Sequence, residues 1–182
     1  MSTQPDRVFF DACTLWNFAI VKRIDLLEQR FSGRACWTRS VRHEIERVVS
    51  DHPYLQQVLD AHWLGEPIEL PSGIPTMQKV NLIRRGLLKG TPPDKATDHL
   101  GEAESIYLLE TTYRYGTFVT DDRPARDFAQ RRSLKTLETA DVLAECFAAY
   151  EVLCPAAYQL IEEMVDRGRG VRLPPSHIEV CP

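Results

Sequence analysis

Short apolar runs, each closing on a polar or acidic residue and separated by longer stretches with helical spacing, set the strongest limit on what this chain can fold into. Arg7-Val8-Phe9-Phe10-Asp11 is too apolar on both sides for a half-exposed edge and reads as a buried strand with Asp11 at its carboxyl end. Ala35-Cys36-Trp37-Thr38, Thr117-Phe118-Val119-Thr120 and Lys135-Thr136-Leu137-Glu138 read as further strands, and Glu66-Pro67-Ile68-Glu69-Leu70 as a weaker candidate. Helices are expected over Leu15–Ala19 behind Thr14 as cap, over Ile24–Arg30, and from Val41 behind Ser40 as cap. Others follow at Val80–Leu88, from Gly101 through Tyr113 to an end at Gly116, from Arg123 with Pro124 in the first turn, from Thr139 to Tyr150, and from Pro155 to Asp166. Strands joined through helices run parallel, so the expected class is α/β, a three-layer α/β/α sandwich around a central parallel sheet. Ligands of such sheets bind beyond the carboxyl ends of the strands. Asp11 and the Asp121-Asp122 pair stand there.

The length of 182 residues, 43% of them hydrophobic, suffices for a full core and predicts one domain over residues 1–182. Within it, about 53–100 reads as a helical and irregular insertion, punctuated by six prolines and including a loop at Gly90-Thr91-Pro92-Pro93-Asp94; about 155–182 reads as a C-terminal helix plus tail. No apolar stretch is long enough to cross a bilayer and the N-terminus lacks a signal pattern, which predicts a cytoplasmic protein without membrane contact. The five cysteines are odd in number, scattered and never spaced CxxC, so neither a disulfide nor a structural zinc is expected. The formal charge of −4 argues against coating nucleic acid by bulk electrostatics.

Four separated stretches each deliver carboxylates: Asp11, Glu44 in Ser40-Val41-Arg42-His43-Glu44, Glu102 and Glu104 in Gly101-Glu102-Ala103-Glu104, and Asp121-Asp122. Taken singly, each acid is explained as a helix-dipole partner, a cap or a turn residue. Taken together, acids crowded without basic partners repel, and a cation relieves that repulsion. Oxygen ligands suit Mg²⁺ or Mn²⁺, which can activate water for phosphodiester hydrolysis. Glu102 and Glu104 lie two residues apart on a helix and cannot share a face, so at most one is a primary ligand.

Phe9-Phe10-Asp11-Ala12-Cys13-Thr14-Leu15, Val41-Arg42-His43-Glu44, Gly101-Glu102-Ala103-Glu104-Ser105-Ile106 and Val119-Thr120-Asp121-Asp122-Arg123-Pro124-Ala125-Arg126 occur in that order, and their ordered combination resembles the PIN-domain family. The Gly-Glu-Ala-Glu run is similar to the prokaryotic branch that includes VapC-like toxins. The resemblance covers roughly residues 7–150. It implies a divalent-metal-dependent endoribonuclease, using Mg²⁺ or Mn²⁺, with Asp11, Glu44, Glu104 and Asp122 as catalytic acids. Asp11, Glu104 and Asp122 would hold metal, with Glu102 and Asp121 as alternates, and Thr14 and Thr120 would orient the carboxylates. It further implies RNA as substrate, products with 5′-phosphate and 3′-hydroxyl ends, a small antitoxin as protein partner, and a homodimer.

Arg84 and Arg85, with Lys79 and Lys89 nearby, and Arg123 and Arg126 after the fourth acid, are candidate contacts to backbone phosphates; Arg126 could equally pair with a catalytic acid and hold it in place. The five histidines form no HxH or HExxH pattern, and neither a GxSxG elbow nor a phosphate-binding glycine loop is present. Two other readings stay open from sequence: a PIN-like nucleic-acid-binding module that no longer cleaves, and a PIN nuclease working in RNA processing or on DNA.

Overall fold

The computed structural model describes residues 6–89 and 98–182. The loop expected at Gly90–Asp94 lies outside the described residues. Four short strands, β1 (Val8–Phe10), β2 (Ala35–Cys36), β3 (Thr117–Val119) and β4 (Lys135–Leu137), form one parallel sheet in the order β2-β1-β3-β4. Phe9 pairs with Cys36 on one side and with Phe118 on the other, and Phe118 pairs in turn with Thr136. The chain thus leaves β1 in one direction to reach β2 and returns to add β3 on the opposite side. That reversal makes the gap between the carboxyl ends of β1 and β3 the topological switch point, where α/β sheets open a crevice.

Side chains alternate across the strands, and both faces are covered. Val8, Phe10 and Val119 join the core formed with α1 (Ala12–Ile20), α2 (Ile24–Phe31), α8 (Thr139–Ala148) and α9 (Ala156–Asp166). Phe9, Cys36 and Phe118 point the other way, into the core with α5 (Ile74–Leu87), α6 (Leu100–Thr111) and α7 (Arg123–Arg131). Among the described residues, the other α-helices are α3 (Arg39–Val48) and the single turn α4 (Gln56–Leu59). This is the expected three-layer α/β/α sandwich. Among the described residues, no helix is long and apolar enough to cross a membrane.

Several local expectations shift. Asp11 itself, rather than Thr14, caps α1: its side chain accepts the Thr14 N–H, so the helix starts directly after the strand. Thr38 rather than Ser40 caps α3. Glu66–Leu70 supplies only an isolated bridge, Thr38 to Ile68, because its proline removes a ladder donor. α5 begins at Ile74 with Pro75 in its first turn, well before the expected Val80. Glu138, rather than Thr139, occupies the cap of α8, and its N–H donates to Asp141 Oδ2 at 2.9 Å.

The cysteine expectation is corrected: Cys154 and Cys181 form a disulfide across a separation of 27 residues, with Cα atoms 6.0 Å apart. The pairing arises because the chain after α9 folds back to the start of that helix, an approach that no local spacing advertises. Cys36 and Cys146 are buried and Cys13 is exposed.

Phe10 is fully buried and packs edge-on against Phe31, with ring centroids 5.3 Å apart, and against Trp63 at 6.1 Å. Phe10→Ala is expected to destabilise the protein by about 3–5 kcal/mol through lost burial and a residual cavity. Urea unfolding followed by circular dichroism checks it; a change within error of zero would mean that this sheet face is not the core.

Candidate functional site

Each strand that ends at the switch point runs into an acidic helix cap. Asp11 directly follows β1 and caps α1; Asp122, separated from β3 by Thr120 and Asp121, caps α7 and accepts the Ala125 N–H at 2.7 Å. Capping explains why both carboxylates are held still, with one oxygen of each bonded to a helix N–H. Asp11 is buried, with Oδ1 accepting the Thr14 N–H at 2.6 Å and Oδ2 accepting the Thr120 hydroxyl. Thr120 Oγ1 also accepts the Asp122 N–H at 3.1 Å, so one hydroxyl ties the two strand-end acids together. The Thr14 hydroxyl instead donates to the Val119 carbonyl at 3.4 Å, leaving its backbone N–H to hold Asp11.

α3 and α6 supply the other acids, and a glycine sets their approach. A Cβ on buried Gly101 would stand 2.8 Å from Val41 Cγ2 and 3.2 Å from Glu44 Oε1, so only glycine lets the start of α6 meet α3 this closely. Glu44 accepts the Gly101 N–H, and Glu102 follows one residue later. Glu44, Glu102 and Asp122 line an open cleft of roughly 410 Å³, together with His99, Asp98, Trp16 and Arg169. Asp11 lies beneath it, behind Ala12 and Cys13. His99, Glu102 and Asp122 can each offer a ligand atom, all within 4.8 Å of one another.

Glu104 is placed elsewhere. Its Oε1 accepts the Ser40 hydroxyl at 2.7 Å, and it lines a separate groove of roughly 680 Å³ with Arg39, Arg42 and His43. The physical reason is the helix period: residues two apart point in nearly opposite directions, and α6 turns Glu102 toward Asp11. Asp121, the alternate to Asp122, is engaged inside the fold. Its Oδ2 accepts from Asn17 Nδ2 at 2.7 Å and from the Thr139 hydroxyl at 2.5 Å, while Oδ1 accepts the Thr139 N–H at 2.9 Å.

The basic residues divide similarly. Arg126 is ion-paired with buried Glu138, which also pairs with Arg172 from the tail. Arg84 Nε donates to the Asp98 carbonyl at 2.5 Å. Arg85, Lys79 and Lys89 are exposed on or beside α5, and Arg123 is exposed near Asp127 at 3.8 Å. The sequence patterns pass over His99, Asn17 and Arg169. His99 stands three residues before Glu102, an i, i+3 spacing that could have paired them; Arg169 carries no local signal.

Burial and like charge act together on the acids. Desolvation lifts the Asp11 carboxyl from 3.8 to about 7, with Asp121 and Glu102 adding to the rise and the Thr120 and Thr14 hydrogen bonds opposing it. Glu44 rises from 4.5 to about 8, first through burial and then through Glu102 and Asp11. Asp122 and Asp121 are also raised, mainly by desolvation. His99 is raised, chiefly by its hydrogen bond to Glu102, Nδ1 to Oε1 at 3.2 Å. Carboxylate oxygens with one imidazole, costly to ionise together, are a donor set that fits a hard divalent cation.

Between the ordinary carboxyl pKa and the raised folded value, the folded state binds more protons than the unfolded one, so stability falls as pH rises. Without divalent ions, the melting temperature should therefore drop from about pH 5 to about pH 8, through the folded pKa values of Asp11 and Glu44. Mg²⁺ or Mn²⁺ should reverse the drop and release protons on binding. Differential scanning calorimetry with chelator or metal tests this, and a flat chelated profile would show that these acids are not mutually stressed.

Comparison with curated proteins gives no match, and neither does comparison with solved structures. A family model, DUF3368, described as a PIN domain, matches residues 7–181. The match runs from the first strand into the tail, past the roughly 7–150 span of the motif resemblance, and takes in every acid of the cleft. With that span matched, and with strand-end acids meeting at the switch point of a parallel sheet, the chain belongs to the PIN-domain family.

Proposed function

We propose that this chain is a divalent-metal-dependent endoribonuclease of the VapC-like branch, acting as the toxin of a type II toxin-antitoxin pair. One observation carries the nuclease reading: Glu44, Glu102 and Asp122 line one cleft from α3, α6 and the end of β3, over Asp11 buried at the end of β1, with pKa values of Asp11 and Glu44 lifted to about 7 and about 8. Membership of a family whose members are generally nucleases supports it. The toxin role rests on the motif resemblance of the Gly-Glu-Ala-Glu run.

Asp11, Glu102 and Asp122 would hold the ion, with His99 beside them, and Glu102 takes the role that the motif comparison assigned to Glu104. A bound Mg²⁺ or Mn²⁺ supplies charge to polarise the scissile phosphate and to acidify water. Thr120 and the N-termini of α1 and α7 fix the carboxylates, so little reorganisation is needed when charge develops. Glu44, whose burial makes it a stronger base than a surface carboxylate, accepts the proton of the attacking water. Water oxygen bonds to phosphorus, the P–O3′ bond breaks, and the leaving 3′ oxygen takes a proton from solvent. The products carry 5′-phosphate and 3′-hydroxyl ends.

Expression of wild type and Asp11→Asn in a bacterial host, with growth and new 5′-phosphate RNA ends recorded, tests the activity and its setting together. Growth arrest with discrete new ends, both lost in Asp11→Asn, is expected; identical behaviour of two folded proteins would end the ribonuclease-toxin reading. Purified Glu102→Gln should lose at least about 100-fold in cleavage rate, since even groups that only orient metal ligands are worth about 10–100-fold. Glu104→Gln should stay near wild type. The reverse ranking would restore Glu104 to the site.

A further inference from the structure

The tail after α9 delivers a cation to the acidic cleft and keeps it out of every ion pair among the described residues. Arg169 Nε donates to Asn17 Oδ1 at 2.8 Å, and its guanidinium carbon lies 4.5 Å from the centre of the Trp16 ring. Both supports are themselves fixed. Asn17 is buried and donates to Asp121, while Trp16 Nε1 donates to the Tyr54 hydroxyl at 2.8 Å and its ring meets His52 at 4.7 Å. The guanidinium is therefore held by one edge and one face. Its Nη1 and Nη2 make no hydrogen bond or salt bridge among the described residues, although Glu44, Glu102 and Asp122 line the same cleft.

An unrestrained arginine beside several carboxylates would fold onto one of them, and stacking with a side-on hydrogen bond prevents that. Two parallel N–H groups left open at the mouth of a cleft match a pair of anionic oxygens. We propose that Arg169 is a substrate-binding residue whose Nη groups clamp a backbone phosphate of the RNA next to the scissile one; this rests on the nuclease reading above. A chain with net charge −4 and a cleft lined with acids needs a fixed positive group to seat a polyanion there. A base-stacking role for Trp16 is disfavoured by the same geometry, because Arg169 covers one face and His52 crowds the ring.

The competing account makes Arg169 a counter-charge that merely offsets the acids. The test uses the full chain carrying Asp11→Asn, so that RNA is bound without being cut, a fluorescein-labelled single-stranded RNA of mixed sequence, Mg²⁺, and anisotropy titrations across a salt series. Adding Arg169→Ala should weaken binding about 10-fold and flatten the slope of log K against log salt by about 0.7, the share of one phosphate contact. Arg169→Lys should restore the slope but not the affinity, since charge returns without the planar fork. In the otherwise wild-type chain, Arg169→Ala should raise KM for RNA while Mn²⁺ affinity, read by calorimetry, stays within about twofold. Unchanged RNA affinity and slope in Arg169→Ala would overturn the clamp, as would a loss of affinity that tracks a lower melting temperature and lost Mn²⁺ binding. If the wild type neither cuts nor binds the RNA, the nuclease reading itself fails and the clamp with it; a wild type that cuts beside an Arg169→Ala variant of equal KM defeats the clamp alone.

Discussion

The bond from the Thr120 hydroxyl to the Asp11 carboxylate joins the carboxyl ends of β1 and β3, and the arrangement of the cleft depends on it. The same hydroxyl accepts the Asp122 N–H, so a single buried side chain sets two acids from strands over a hundred residues apart. Register makes this possible: Phe10 pairs with Val119, which leaves Asp11 and Thr120 as the next residues on neighbouring strands. The Asp11 N–H closes the arrangement by donating to the Val119 carbonyl at 3.2 Å. A slip of register by one residue would turn one of these groups to the opposite sheet face.

The cleft works against the fold that supports it. Burial and mutual repulsion keep several carboxyls above their usual range, so their ionisation favours the unfolded chain. The surrounding structure offsets this with helix N–H groups, the close glycine approach of α6 to α3 and two apolar cores on either side of the sheet. Destabilised functional groups survive where neighbouring packing is strong.

The tail takes part in this balance of charge. Glu138, buried at the start of α8, is matched by Arg126 from α7 and Arg172 from the tail, and Arg172 reaches Glu179 at 3.0 Å. With the Cys154–Cys181 disulfide, these pairs fasten the segment that carries Arg169 over the cleft. Arg126 is thereby a structural partner of Glu138, and its ion pair goes there rather than to one of the catalytic acids beside which the sequence places it.

The layered α/β architecture was legible in the sequence because strand and helix periods are local: Val8-Phe9-Phe10, Thr117-Phe118-Val119 and the helices between them announce themselves within a few residues. Acids at strand ends, such as Asp11 and Asp122, were legible for the same reason. Periodicity also showed that Glu102 and Glu104 diverge, but the direction of each depends on how α6 rolls against α3, which the contact of Gly101 with Val41 decides. Strand order, the burial that shifts each carboxyl, the Cys154–Cys181 pairing and the return of Arg169 to Trp16 depend on contacts between distant segments. Local spacing determined which residue types were on hand for chemistry; only tertiary packing decided which of them share a cleft, because the free energy of bringing them together belongs to no single segment.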